Sequence, residues 1–343
     1  MQQLQTKVQA NCNLSDAQHA GNYTLCIYLL KMREYFRWET GQAFGSPLSK
    51  DDIGEWLTDR EQLWDGLEDD DYQTLDIDDQ QFDPFHSRDI NQQLNPMGLV
   101  YSGGYGNMGK PVFFLAEIES IKQLDDYTIY ISSKELARDL AAPPGMAQDK
   151  CVYIRRESLR RFLWEKYEES HWYNLDNPLA RALACYDFKK HADDSLELMT
   201  DAEIDTVLHH EMGEIQAGQR LGDDWEAMLS RLPRSQAELL IRSVRDNLAD
   251  SLSTLPRLLE DAEPARIHFY FANLSNLRKM IFPSIMNAYQ EWLKHGDKSP
   301  ITKLMNKSEK HWMNLAQQSL KLFSKHGDDS APHIESFIKS HYL

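Results

Sequence analysis

His210, Glu211 and Glu214 are the residues in this chain whose types and spacing most plainly suggest chemistry. On a helix, His-Glu-x-x-Glu puts one nitrogen and two oxygens on adjoining turns. Those are ligand types for zinc or non-haem iron, and equally the groups of an acid–base pair. The pattern is not the H-E-x-x-H of metalloproteases, because Glu214 stands where the second histidine belongs. Glu211 is the anomaly. At roughly 100° per residue it falls inside the apolar stripe of Ile204, Val207, Leu208 and Ile215, while His209 is expected to face water. A charge does not enter a core without a partner.

Three kinds of partner would satisfy Glu211. The plainest is a cation from the same half of the chain: Arg278 sits on the stripe of Ile267, Phe271, Leu274 and Ile281, so a Glu211–Arg278 ion pair is expected. The second is a divalent metal, iron or zinc, held by His210, Glu211, Glu214 and His268, with Asp250 or the Glu168-x-x-His171 pair as further donors. The third is an organic ligand, with Glu211 and Glu214 as its catalytic carboxylates. Asn247 and Ser251, on the edge of a neighbouring apolar face, would either satisfy nearby backbone or support such a site.

Cations define two more places. His19, Asn22, Cys26, Arg33 and Arg37 fall along one narrow line of an otherwise apolar helix, and Leu25–Leu30 is unbroken, so that helix is expected to be central and buried. Arg33 and Arg37 on successive turns would hold a carboxylate or phosphate, or else pair with acids of this chain. Arg155, Arg156, Arg160 and Arg161 make a local positive patch suited to an anion or to salt bridges. Gly104-Tyr-Gly106-Asn-Met-Gly109-Lys110 spells G-x-G-x-x-G-K, but Pro111 and a strand follow where dinucleotide binding needs a helix. A hairpin turn is the better reading, with Lys110 free to touch an anion.

The elements that carry these residues can be read from caps and periodicity. Ser15 with Gln18 opens a helix over 15–38, and Ser49 caps another over 49–67, before an acidic loop over 68–79. Strands are expected at 98–102, 111–116, 127–131 and 151–154, with a capping box at Ser132-Ser-Lys-Glu135 opening a helix between the last two. A helix over 157–172 follows. Helices are then expected at 178–191, 201–220, 223–231, 236–253, 265–281, 284–294, 308–325 and 333–341, with Thr200 and Ser235 as caps and Pro283 as a break. The fold class is therefore α+β, predominantly α. A mixed α/β domain with a small sheet over 1–175 precedes an all-helical domain over 176–343.

Bulk properties bound the function. A formal charge of −17, from 37 Lys and Arg against 54 Asp and Glu, argues against nucleic acid and against anionic lipid as partners. No apolar run approaches bilayer length and the N-terminus has no secretory pattern, so a cytoplasmic protein is expected. The four cysteines show no C-x-x-C spacing, and Cys26 reads as a reduced core thiol.

Asn11-Cys-Asn-Leu-Ser-Asp-Ala with Leu25-Cys-Ile-Tyr-Leu-Leu-Lys-Met-Arg-Glu-Tyr, then Glu135-Leu-Ala-Arg-Asp-Leu-Ala-Ala-Pro-Pro and His268-Phe-Tyr-Phe-Ala-Asn, resemble an uncharacterised bacterial family of unknown function. The resemblance spans most of the chain in two domains and implies no activity, cofactor or site. From the residues, the expectation is a small-molecule enzyme with a buried polar, metal-binding centre between helices and an anionic small molecule as partner. The alternative is a non-catalytic interaction or structural protein whose buried charges form ion pairs.

Overall fold

The computed structural model describes every residue except 107–108, 149, 172–175 and 262. The chain divides into two compact units: Met1–Glu168 with Ala192–Thr200, and Glu169–His191 with Asp201–Leu343. The domain boundary expected at 175/176 and the tip of the glycine-rich turn lie at least partly outside the described residues.

The first unit is built on a five-stranded sheet of order β3-β4-β5-β7-β6, in which β5 and β7 are parallel and the other pairs antiparallel. Its elements are α1 (Gln2–His19), α2 (Leu25–Glu39), α3 (Lys50–Asp65), the hairpin β1 (Leu75–Ile77) and β2 (Gln80–Phe82), α4 (Ser87–Leu94), β3 (Leu99–Tyr105), β4 (Pro111–Leu124), β5 (Tyr127–Arg138), β6 (Gly145–Gln148), β7 (Cys151–Arg155) and α5 (Arg156–Ser170). Alternation along the strands sorts side chains to two faces. Leu99, Tyr101, Phe113 and Leu115 pack with Leu4, Val8 and Cys12 of α1, while Val100, Phe114 and Ala116 pack with Tyr130 and Tyr153. Both faces are covered, which is why β3 reads as a nearly continuous buried run.

Three expectations for this unit are overturned. Ser15 does not open a helix: it lies inside α1, fully buried, and its hydroxyl donates to the Pro111 carbonyl. The glutamine-rich segment before it is helical because Leu4, Val8 and Cys12 recur every four residues and bury one thin stripe. The single helix over 15–38 is two, broken by a 3₁₀ turn at Ala20–Asn22, and Leu25, Ile27, Leu29 and Leu30 of the second are exposed rather than central, as is Cys26. Ser132–Glu135 is not a capping box: β5 runs on through it to Arg138, across register irregularities against β4 at Leu115–Ser120. Glu135 faces Arg155 and Ser158, and that pairing holds the segment extended against its local helix signal. Ser49 does cap α3, accepting from the Asp52 N–H.

The second unit is helical among its described residues. It contains α6 (Pro178–Leu183), most of α7 (Ala192–Leu221), α8 (Asp223–Arg231), α9 (Gln236–Ala249), a π-helical turn (Asp250–Thr254), α10 (Leu255–Asp261), α11 (Pro264–Asn273), α12 (Asn276–Ile281), α13 (Pro283–His295), α14 (Ser299–His326) and α15 (Ala331–Lys339). A core of aromatic and aliphatic side chains, including Trp225, Phe271, Tyr289 and Trp312, fills it. Thr200 is not a cap: α7 begins eight residues earlier, and the Thr200 hydroxyl bonds back to the Leu196 carbonyl. The helix expected over 265–281 is two, because Ser275 caps α12 by accepting from the Arg278 N–H. Among the described residues no helix is long and apolar enough to cross a membrane.

Candidate functional site

α7 runs beside α9 and the π turn. The two backbones approach so closely at Gly213 that a Cβ there would collide with the Ala249 carbonyl. That approach brings the second half of α7 to Asp250. The Asp250 carboxylate is fully buried and saturated: it pairs with Arg278, accepts from Tyr270 Oη at 2.8 Å and Thr254 Oγ1 at 3.1 Å, and meets His210 Nδ1 at 3.3 Å. Arg278 also donates to Asn247 Oδ1 at 2.9 Å. Burial would raise the Asp250 carboxyl, but Arg278 and the His210 hydrogen bond hold it well below the usual carboxylate range. For His210, burial works downward, and the hydrogen bond and charge of Asp250, with Glu214 and Glu211 behind them, raise it to about 9.

Glu211 is buried as the sequence implies, but Arg278 is not its partner: Arg278 is taken by Asp250, one helix turn beyond Asn247. The break before α12 explains this, since it re-aims Arg278 away from the stripe of α11. Burial and the neighbouring Glu214 push the Glu211 carboxyl up to about 7. Glu214 takes Arg245 at 3.4 Å and His210 Nε2 at 3.5 Å. His268 is elsewhere, with Nδ1 2.8 Å from Tyr289 Oη and its ring against Trp292. Among the described residues no group of three or more His, Cys, Asp or Glu is arranged to hold a metal, so His210, Glu211, Glu214 and His268 do not form the expected centre. His209 does not face water: it is half-buried, with Nδ1 3.0 Å from Ser253 Oγ.

The first unit holds a cavity of about 470 Å³. This lies within the range of roughly 300–1,000 Å³ common for small-molecule sites. Its cations are Arg37, Arg138, Arg160 and Arg161, its acids Glu34, Glu157 and Asp193, and Trp38 and Phe44 supply aromatic surface. Most of these arginines are neutralised within the protein. Arg37 pairs with Glu34 at 3.2 Å and donates to the Ala43 carbonyl at 2.6 Å; Arg160 pairs with Glu197 at 3.0 Å; Arg161 pairs with Glu165 at 3.0 Å and donates to the Ala142 carbonyl. Arg33 lies outside the lining and pairs with Glu34 and Glu168.

Arg138 differs. It is 1% exposed and Glu135 Oε2 is 3.8 Å from its Nη1; its Nε, like that of Arg161, has no hydrogen-bond partner, but the Arg161 guanidinium is held through its two Nη groups. Glu135 accepts from Arg155 Nε at 2.8 Å and Ser158 Oγ at 2.6 Å through its other oxygen, Oε1, and its Oε2 has no hydrogen-bond partner. The Arg138 guanidinium rests instead over the rings of Trp38 and Tyr35, 4.9 and 5.5 Å from their centroids. Burial, and then Arg161, lower it to about 10. Glu157 is its counterpart among the acids. It accepts the Glu135 N–H at 2.6 Å and has no ion-pair partner among the described residues. Burial and then Glu135 raise its carboxyl.

Residues 3–155 match the N-terminal domain, and residues 160–341 the C-terminal domain, of a family of unknown function, DUF6866. The chain belongs to the DUF6866 family. No curated protein and no solved structure matches it. The cavity's Arg138 falls within the DUF6866 N-terminal domain, and the Asp250 network within the C-terminal one. The arginine patch of 155–161 is visible in the sequence, whereas no local pattern marks Arg138 or Glu157. The β-rich run at Tyr127–Ile131 does not alternate on through Arg138, so the sequence holds no periodic signal for the strand's extension, and the capping-box pattern at Ser132 points the other way. Lys110 meets Asp16 at 2.7 Å.

Proposed function

We propose that the first unit binds a small anionic molecule in the Arg138 cavity. The observation that carries this is a buried guanidinium with an unpartnered Nε whose near carboxylate oxygen, Glu135 Oε2, stands beyond hydrogen-bond distance at 3.8 Å, the other oxygen being held by Arg155. A buried cation left this short of negative charge is costly, and a bound carboxylate or phosphate supplies what is missing with fork geometry. Arg160 and Arg161 keep the surrounding field positive while their own carboxylates hold them in place.

The test is thermal unfolding of the full-length protein titrated with phosphate, sulfate and acetate at constant ionic strength, with chloride as reference. A ligand present at a hundredfold excess over its Kd stabilises by about 2.7 kcal/mol. One or more of the anions raises the unfolding temperature of the wild type and leaves Arg138→Met unmoved. Equal shifts in the two proteins, or none in either, would overturn the proposal.

The saturation of Asp250 favours a different role for the second unit: its buried charges orient helices against one another. The competing reading, an acid–base site at Glu211 and Glu214, draws support from the Glu211 carboxyl lying near 7, where proton transfer at neutral pH is most effective.

A further inference from the structure

The cavity contains two unmet charges of opposite sign, and this narrows its ligand further than the arginines alone. Arg138 lacks a hydrogen-bonded carboxylate, its contact with Glu135 Oε2 being 3.8 Å long. Glu157, lining the same cavity, lacks a cation. Each influences the other electrostatically, yet the two side chains are not within ion-pair distance. In a protein with 54 acidic and 37 basic side chains, the neighbouring cavity cations Arg37, Arg160 and Arg161 are all matched to acids. A simple anion would satisfy Arg138 and bring further negative charge towards Glu157, which is already partly desolvated. A ligand carrying both an anion and a cation satisfies both at once, and Trp38 and Phe44 offer it apolar surface.

We propose that the ligand is a small zwitterion of amino-acid type, its carboxylate on Arg138 and its ammonium on Glu157. This rests on the anion-binding reading above and deepens it. Glu157 then sets specificity: it distinguishes an amino acid from the same molecule without its amine.

The experiment is calorimetric titration of the full-length protein with three matched pairs: glycine and acetate, alanine and propionate, phenylalanine and 3-phenylpropionate. Inorganic phosphate serves as a charge-only control. At least one amino acid is expected to bind tenfold or more tightly than its deaminated partner. Glu157→Gln, which keeps an oxygen to accept the Glu135 N–H, should bring that ratio below about threefold without weakening the plain carboxylate. Arg138→Met should abolish binding of both. N-acetylphenylalanine, tested on the wild type, checks the ammonium without any substitution and should bind no better than 3-phenylpropionate. If carboxylates or phosphate bind through Arg138 and the amine adds nothing, the zwitterion is wrong and the anion reading stands. If the amine preference survives Glu157→Gln, the assignment to Glu157 is wrong. If no probe binds, phosphate included, both readings fall.

Discussion

Arg278 in the second unit and Arg138 in the first are both buried arginines, but their surroundings differ. Arg278 has a committed acid in Asp250 and an amide in Asn247, and Asp250 in turn is filled by Tyr270, Thr254 and His210. Arg138 has ring faces, a carboxylate oxygen at 3.8 Å that it does not hydrogen-bond, and an open cavity. A charge network closed on itself rigidifies a core and leaves little to offer a ligand; one left open by a single charge remains receptive. Burial of a charged side chain therefore does not by itself point to a site. What discriminates is whether its hydrogen-bonding capacity is used up inside the protein.

The contrast predicts opposite responses to the same substitution. Arg278→Met should destabilise the protein by ~3–5 kcal/mol, because it strands a buried Asp250, and denaturant unfolding will read this directly. A loss below about 1 kcal/mol would mean that the network is not closed in the sense described. Next in size is Gly213→Ala. Its methyl group would strike the Ala249 carbonyl and force α7 away from α9, at a cost of roughly 1–3 kcal/mol. The resulting separation should also loosen the His210–Asp250 contact, seen as a fall in the His210 pKa by NMR titration.

A third response is to pH. His210 binds its proton more tightly folded than unfolded, so its contribution is fully present below its ordinary value near 6.5 and is lost as pH rises through about 9. Glu203 of α7 acts in the same direction. It is buried with neither oxygen hydrogen-bonded, and burial raises it from 4.5 to about 8, so its proton is retained in the fold and stability declines as pH rises between those values. Unfolding midpoints should therefore decline from pH 5 to pH 9, and Glu203→Gln should flatten the part of the decline below pH 8. A profile that rises across this interval would contradict the assignment. The smallest effect belongs to the first unit: Arg138→Met should change stability by no more than about 1 kcal/mol, since little pairing is lost with the charge, while anion binding disappears. A loss comparable to that of Arg278→Met would erase the distinction between the two arginines.

The sequence made the class of the fold and the burial of Glu211 legible, because both follow from periodicity within single elements. Partners were harder to read, since they depend on where helices stop. Arg278 shares a stripe with Phe271 only if 265–281 is one helix; the Ser275 cap turns it to Asp250. Leu25–Leu30 reads as central because an unbroken apolar run usually is, yet five of these six side chains, all but Tyr28, are exposed. The burial of Glu203 is hidden in the sequence because it stands in a Thr-x-x-Glu pattern that normally marks an exposed first turn, whereas α7 begins at Ala192. Arg138 escaped because local helix chemistry at Ser132 hid a strand whose direction is enforced by a long-range acid–arginine pair.

The π turn at Asp250–Thr254 has a consequence for how this rod of helix keeps time. A turn with i→i+5 bonding holds one residue more than an α turn, so the side chains on its two sides run out of phase by about 100°. Upstream, Leu240, Val244 and Asn247 face inward on one phase; downstream, Leu255 and Leu258 face inward on another. Removing one residue from the turn would restore uniform α geometry and leave Leu255 and Leu258 turned toward the core. The extra residue thus works as a vernier, and a change of chain length by one has its natural home at that turn.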